Sequence, residues 1–255
     1  MSGSKDREQR REEREAAEAS AAGEERRKNL LKLASAAVFL AVIAVAVIIV
    51  LASSDSGGGD ASNISDVATV EKTLRGIPQN GMTLGEPSAK VTLVEFGDLK
   101  CPVCKAYSEE VVPPVIESQV RSGETKIQFR NYTIIDEQST PAGAAALAAG
   151  EQGRGWNYLE LFYRNQGNET QPYVTDEFLT AIAKKAGVPD IARWNKERKS
   201  QKIVAEVKRT TAEAKSLGFE GTPSFAIEGA AIQGLKPLEF PESSGELEEE
   251  IAKFT

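Results

Sequence analysis

Two cysteines occur in the 255 residues, Cys101 and Cys104. A C-x-x-C pair can cycle between dithiol and disulfide. Pro102 follows the first of them, and proline is favoured in the first turn of a helix. A thiol there lies beside N–H groups with no intrahelical partner and at the positive end of the helix dipole, so its thiolate is favoured. Cys101 is therefore the expected nucleophile. Cys104, one turn further on, is placed to attack a mixed disulfide on Cys101 and release the bound partner.

Other uses of the pair are poorly supplied. Zinc takes four ligands, and the chain has no histidine and no further cysteine, which leaves only a metal shared between two chains. Lys105 stands where c-type haem attachment needs histidine, and no Ser-His or Cys-His pair can be formed. A structural bridge at this spacing closes too small a loop to stabilise much. A metal carrier is equally ill served, since the methionines are Met1 and Met82. No metal or cofactor is expected. The formal net charge of −7 argues against nucleic acid as a partner.

The elements around the pair can be read in outline. Val91-Thr92-Leu93-Val94-Glu95-Phe96 is an apolar, β-branched run that suits a strand buried on both faces, and Gly97-Asp98 breaks it. Pro113-Pro114 should kink the helix that starts at Cys101, and Gly123 suits its end. Lys126 to Ile134 alternates and reads as a second strand, parallel to the first across the helical crossover. Between Thr140 and Gly218 the signals are helical. Thr140-Pro141 reads as an N-cap and first turn, with an alanine-rich helix ending at Gly150. Further helices follow around Trp156 to Tyr163, from Thr175 to Gly187, after Pro189, and on to Gly218. The aromatic residues there could be a ligand box, but their helical spacing suits a core better. Pro223 to Ile227 and Ala230 to Gln233 return to strand pattern around a turn at Glu228-Gly229. A last helix covers about Ser244 to Lys253.

The first third of the chain has a different composition. Residues 1–32 are mostly charge and alanine and cannot bury a core, so they read as a solvated tail. Residues 33–52 are apolar except for Ser35, long enough at 1.5 Å per residue to span a bilayer. A cleaved signal peptide is the rival, but the charged leader and the long apolar run suit an uncleaved transmembrane helix better. Arg14, Arg26, Arg27, Lys28 and Lys32 precede this run and only Lys72 follows closely, which places the amino end in the cytoplasm. The remainder would then lie outside, where disulfides persist. Residues 53–79 begin with Ser53-Ser54-Asp55-Ser56-Gly57-Gly58-Gly59 and read as a flexible linker. The folded domain is expected over 80–255, enough for one core.

Over about residues 80 to 240 the chain resembles the DsbA-like thiol:disulfide oxidoreductases of the thioredoxin superfamily. The segment Val94 to Cys104 is similar to that family's active-site strand and turn, and Gly221-Thr222-Pro223-Ser224-Phe225 to its cis-proline loop. The resemblance implies an α/β thioredoxin-like fold with an inserted helical subdomain at about 139–200, preceded here by a single transmembrane helix as in the anchored extracytoplasmic members. It implies that Pro223 is cis and faces Cys101, and that Thr222 tunes the contact of this loop with the substrate backbone. Pro102 and Val103, between the cysteines, are expected to join them in meeting substrate. Glu95 falls six residues before Cys101, where the family places a buried acid; such a carboxyl would have a raised pKa and could shuttle the proton of Cys104. Lys100 and Lys105 flank the site, as solvated surface lysines or as aids to the thiolate.

The commonest oxidising members carry histidine where this chain has Val103. A neutral residue there should leave the pair less oxidising. The expected function is donation of disulfides to secreted or membrane proteins with cysteines, followed by reoxidation by a membrane quinone-linked partner of the DsbB or vitamin K epoxide reductase type. The alternatives are an extracytoplasmic reductase or isomerase, and a non-catalytic thioredoxin-fold binding module.

Overall fold

A computed structural model describes residues 59–229 and 234–254. The expected tail (1–32), transmembrane helix (33–52) and first part of the linker lie outside the described residues. Among the described residues, no helix is long and apolar enough to cross a membrane.

At the centre lies β3 (Val91–Gly97), with β4 (Thr125–Asn131) parallel on one side and β5 (Ser224–Gly229) antiparallel on the other. The sheet is completed by β1 (Gln79–Asn80), β2 (Thr83–Leu84) and β6 (Lys236–Pro237), in the order β1-β2-β4-β3-β5-β6. Alternation along the strands loads both faces. Leu93, Ile127, Phe129, Phe225 and Ile227 join the larger core, and Val94, Phe96, Tyr132 and Ala226 a second cluster with Ala214 on the other side. That two-sided burial explains why β3 reads as a continuous apolar run.

The active-site helix α2 (Pro102–Glu110) leaves the end of β3. A short turn of helix, α3 (Val112–Val115), which contains the Pro113-Pro114 pair, and a wider π-type turn over Ile116–Val120 come next. This is the interruption that two prolines impose. Gly123, at φ +83°, ends the segment.

The inserted helices are α4 (Ser139–Gly150), α5 (Gly155–Arg164), α6 (Asp176–Lys185) and α7 (Ile191–Glu197), with the long α8 (Gln201–Ser216) leading back to the sheet. Thr175, Asp190 and Ser200 cap the last three by accepting from Phe178, Arg193 and Ile203 N–H groups. The aromatic residues form core rather than a ligand box. Trp156, Tyr158, Phe162, Phe178 and Trp194 are all fully buried, and the Phe162 and Phe178 rings meet edge-on at 5.3 Å. Helix α9 (Ser244–Ala252) closes the chain.

Several boundaries differ from expectation. The linker ends sooner: α1 (Val67–Leu74) buries Val70 and Leu74, and Ser65 N–H donates to Asn165 Oδ1 at 2.8 Å. Packed structure thus begins about fifteen residues before the expected boundary at 80. Helix α4 starts at Ser139 rather than after a Thr140 cap, because Asp136 and Ser139 close the preceding turn on each other. The second strand stops at Asn131 rather than Ile134, since the N–H groups of Ile134 and Ile135 turn to Asp98 Oδ2 at 2.8 and 3.1 Å. The tight turn expected at Glu228-Gly229 is instead strand, paired with Thr92 and Val91. On its other edge β5 pairs with Lys236-Pro237, and the strand expected at 230–233 lies outside the described residues.

Candidate active site

Cys101 sits at the junction of β3 and α2 and is the N-cap of the helix. Its sulfur accepts the Cys104 N–H at 3.4 Å, one of the donors that a helix start leaves unpartnered. Both thiols are free and buried, Cys101 at 4% exposure and Cys104 at 0%. Across the cleft, the Cys101 thiol donates to the Thr222 carbonyl at 3.4 Å. The Thr222–Pro223 bond is cis. Thr222 Oγ1 is buried without a hydrogen-bond partner, and hydrogen bonding from Thr222 is among the influences that lower the Cys101 pKa. Pro102 and Val103 are half-buried at the rim between these two segments.

The two sulfurs are driven apart in acidity. Hydrogen bonding from the Cys104 thiol, helped by Thr222 and the N–H groups of Cys104 and Val103, brings Cys101 down to about 7 against the cost of burial. Burial pushes Cys104 well above the ordinary thiol range, reinforced by Cys101 and by the charge of Glu95. One sulfur changes state near neutrality and the other holds its proton there.

Glu95 lies on β3 between Phe129 and Phe225 of the neighbouring strands. It is 2% exposed and its Oε1 has no hydrogen-bond partner. Burial, and then the nearby charge of Glu160, raise it to about 8. A carboxyl in that state can give or take a proton at neutral pH, and its charge acts on Cys104 directly.

The turn carrying Cys101 is held by groups to which the sequence assigned no such support: Asp98, named there only as part of a strand break, and Gln166 and Tyr163. Asp98 is fully buried. Its Oδ1 accepts from Lys100 N–H, its Oδ2 from Ile134 and Ile135, and its carbonyl from Cys101 N–H at 3.0 Å. Gln166, just past α5, donates through Nε2 to the carbonyls of Leu99 at 2.6 Å and Cys101 at 3.1 Å. Tyr163 donates to the Asp98 carbonyl at 3.4 Å. Gly97 cannot carry a side chain: a Cβ would lie 2.6 Å from the Phe129 ring and 3.1 Å from the Tyr163 hydroxyl. Lys100 corrects the expectation of a solvated surface lysine. It is fully buried, pairs with Asp136, lies 3.3 Å from Gln138 Oε1 and stands 5.5 Å from the centre of the Tyr173 ring. Its charge is already engaged away from the sulfurs. Lys105, on the first turn of α2, is half-buried.

Glu160 also escaped notice. It carries the only acidic side chain in the apolar stretch Trp156 to Tyr163, and that oddity was the available signal.

A family model described as Thioredoxin matches residues 78–243. The Probable disulfide bond formation protein D of Bacillus cereus is 31% identical over 150 residues, which cover 58% of this chain and 69% of that protein. Among solved structures, the chain is similar to oxidised BdbD from Bacillus subtilis, with a TM-score of 0.60 and 23% identity over 70% of this chain and 95% of that one. It is also similar to a thioredoxin-like oxidoreductase from Silicibacter pomeroyi DSS-3, with a TM-score of 0.53 and 27% identity over 71% of this chain and 95% of the other.

Proposed function

From the premise that the chain belongs to the thioredoxin family, as a DsbA-like protein disulfide oxidoreductase, we propose that it works outside the cytoplasmic membrane and donates its Cys101–Cys104 disulfide to cysteine-containing secreted or membrane proteins. The observation that carries this reading is the split between the two sulfurs. In the oxidised pair, a substrate thiolate attacks Cys101 Sγ, forming a mixed disulfide and breaking the bond to Cys104. The departing Cys104 sulfur takes a proton, for which the Glu95 carboxyl is the local source. A second substrate thiolate then attacks the substrate sulfur of the mixed disulfide, and Cys101 leaves as thiolate. The substrate ends oxidised by two electrons and the pair reduced by two. A thiol near 7 is a good leaving group, and stabilising the reduced thiolate makes the pair more oxidising.

Pro102, Val103, Thr222 and Pro223 form the surface on which the substrate backbone would lie. Reoxidation falls to a membrane quinone-linked partner of the DsbB or vitamin K epoxide reductase type. The apolar run at 33–52 and the basic residues before it support a single-pass anchor with the amino end in the cytoplasm.

The decisive measurement is the reduction potential of the full-length chain against glutathione. A value of about −120 to −180 mV supports donation, whereas about −270 mV makes an extracytoplasmic reductase the better reading. Cys101→Ser separates both from a non-catalytic binding module, which would keep its activity in cells. A membrane-impermeant thiol reagent applied to intact cells should label Cys101; labelling only after lysis would place the domain inside.

A further inference from the structure

Three side chains spaced three residues apart, two on α5 and one just past its end, reach the active-site segment. Glu160 Oε1 accepts from Ser108 Oγ at 3.0 Å, Tyr163 reaches the Asp98 carbonyl, and Gln166, just past the helix, reaches those of Leu99 and Cys101. Ser108 is itself buried on α2, one turn beyond Cys104. Tyr163 and Gln166 are neutral and hold backbone. Glu160 is different: it is 2% exposed, ionisable, and serves no backbone group. A buried carboxyl is costly unless it is compensated. Its other contact is Arg164, whose Nη2 lies 3.8 Å from Oε2 and whose buried Nε has no partner. That is loose pairing for a buried acid, and the position is not explained by stability.

We propose that Glu160 is a positioning residue of the exchange reaction: tied to the active-site helix through Ser108, it sets how readily Glu95 holds a proton, and so the step in which Cys104 gains or loses one. The inference rests on the disulfide-exchange reading above. In the resolving direction, Glu95 carboxylate takes the proton of the Cys104 thiol. The Cys104 thiolate then attacks Cys101 Sγ of the mixed disulfide, forming Cys101–Cys104 and expelling the partner's thiolate. Negative charge on Glu160 disfavours ionised Glu95, and loss of that charge favours it.

The groups facing the two carboxyls are few. Glu160 meets Arg164 on its own helix, Ser108 and Glu109 on α2, and Glu95 on β3. Glu109 in turn faces Lys105 and Glu110 on α2, Arg164, and Asp66 just before α1. The charge of Glu95 acts on Cys104 and Tyr107 of α2 and Tyr163 of α5, and that of Glu160 acts on Glu95, whose cross-strand neighbours are phenylalanines. Glu242 and Glu246, near α9, act on Tyr107. Burial brings Glu160 to about 7, so it is partly charged where Glu95 changes state. The two titrate as a pair.

The test is the pH dependence of glutathione release from the Cys101 mixed disulfide by Cys104, in single turnover on the full-length chain. Glu160→Gln should move the upper midpoint of this profile about one pH unit to the acid side, the order expected for removing a like charge in a partly screened interior. The inflection of Cys101 alkylation should stay in place. Ser108→Ala leaves the carboxyl but removes a hydrogen bond that favours its charge, so it should shift the profile the same way by less. In a Glu95→Gln background, Glu160→Gln should add nothing. An unmoved midpoint in both single variants, or an undiminished shift in the Glu95→Gln background, overturns the inference. Failure of the unmodified chain to form or resolve the mixed disulfide would instead overturn the exchange reading on which it rests.

Discussion

Cys101 and Cys104 differ by one helical turn, and that turn separates a sulfur capped by amide hydrogens from one buried beneath it. Alkylation of Cys101 in the reduced chain should rise with pH through an inflection near 7, because the thiolate is the reacting form. Iodoacetamide rates between pH 5 and 9 would measure it. Cys104→Ser should accumulate, on a non-reducing gel, mixed disulfides with substrates that have no second thiol in reach, since the escape route through Cys104 is then lost. Val103→His should add a cation beside the Cys101 thiolate and raise the potential; a tenfold gain in the reduced form would appear as about 30 mV. The acid at position 95 came from the family resemblance, its burial being completed by Phe129 and Phe225 on other strands. The cysteines and the helix start could be read from local sequence because each depends on its immediate neighbours. Lys100 could not. Its burial depends on Asp136 and Gln138, more than thirty residues away, and on Tyr173.

Elements whose ends carry their own chemistry were legible. Thr175 and Ser200 cap helices, and positive-φ glycines at 187 and 218 end them. The two-residue strands β1 and β2 carry too few residues for a period to show, and α1 owes its stability to packing on α5 rather than to any strong cap. Gln166 belongs to this scale because it joins the end of one element to the start of another. Gln166→Leu should leave the buried Leu99 carbonyl without its donor and the Cys101 carbonyl with the Lys105 N–H alone, at a cost of roughly 1–3 kcal/mol for the first before relaxation. Chemical denaturation should show the loss of stability, and Cys101 alkylation should change with it as the turn loosens. A stable variant with unchanged thiol reactivity would show that Asp98 holds the turn alone.

At the scale of the whole domain, the buried carboxyls impose a pH dependence. Glu95 and Glu160 are raised from the ordinary value of 4.5 to about 8 and about 7, so the folded chain keeps protons that the unfolded chain releases. Stability should therefore be highest near or below pH 4.5, as far as these two groups decide it, and fall as pH rises toward 8. Glu95→Gln should flatten that fall and make the domain more stable than the unmodified one at pH 8, by up to a few kcal/mol. Melting temperatures at pH 5 and 8 for both proteins would check the sign. In the reduced chain the depressed Cys101 works oppositely: its contribution is complete above its unfolded value of 9.0 and is lost as pH falls through about 7. The oxidised chain lacks this contribution, so the reduced form should gain on it between pH 7 and 9.

The grip of Gln166 and Tyr163 on the turn around Cys101 makes the inserted helices part of the reaction centre rather than cargo on a smaller fold. Trimming the domain to a minimal scaffold by excising them would strip support from the nucleophile's own carbonyl. A chimera that exchanges the helices between relatives would transplant redox character along with them, and a directed-evolution campaign seeking a different potential should randomise α5 as readily as the two residues between the cysteines.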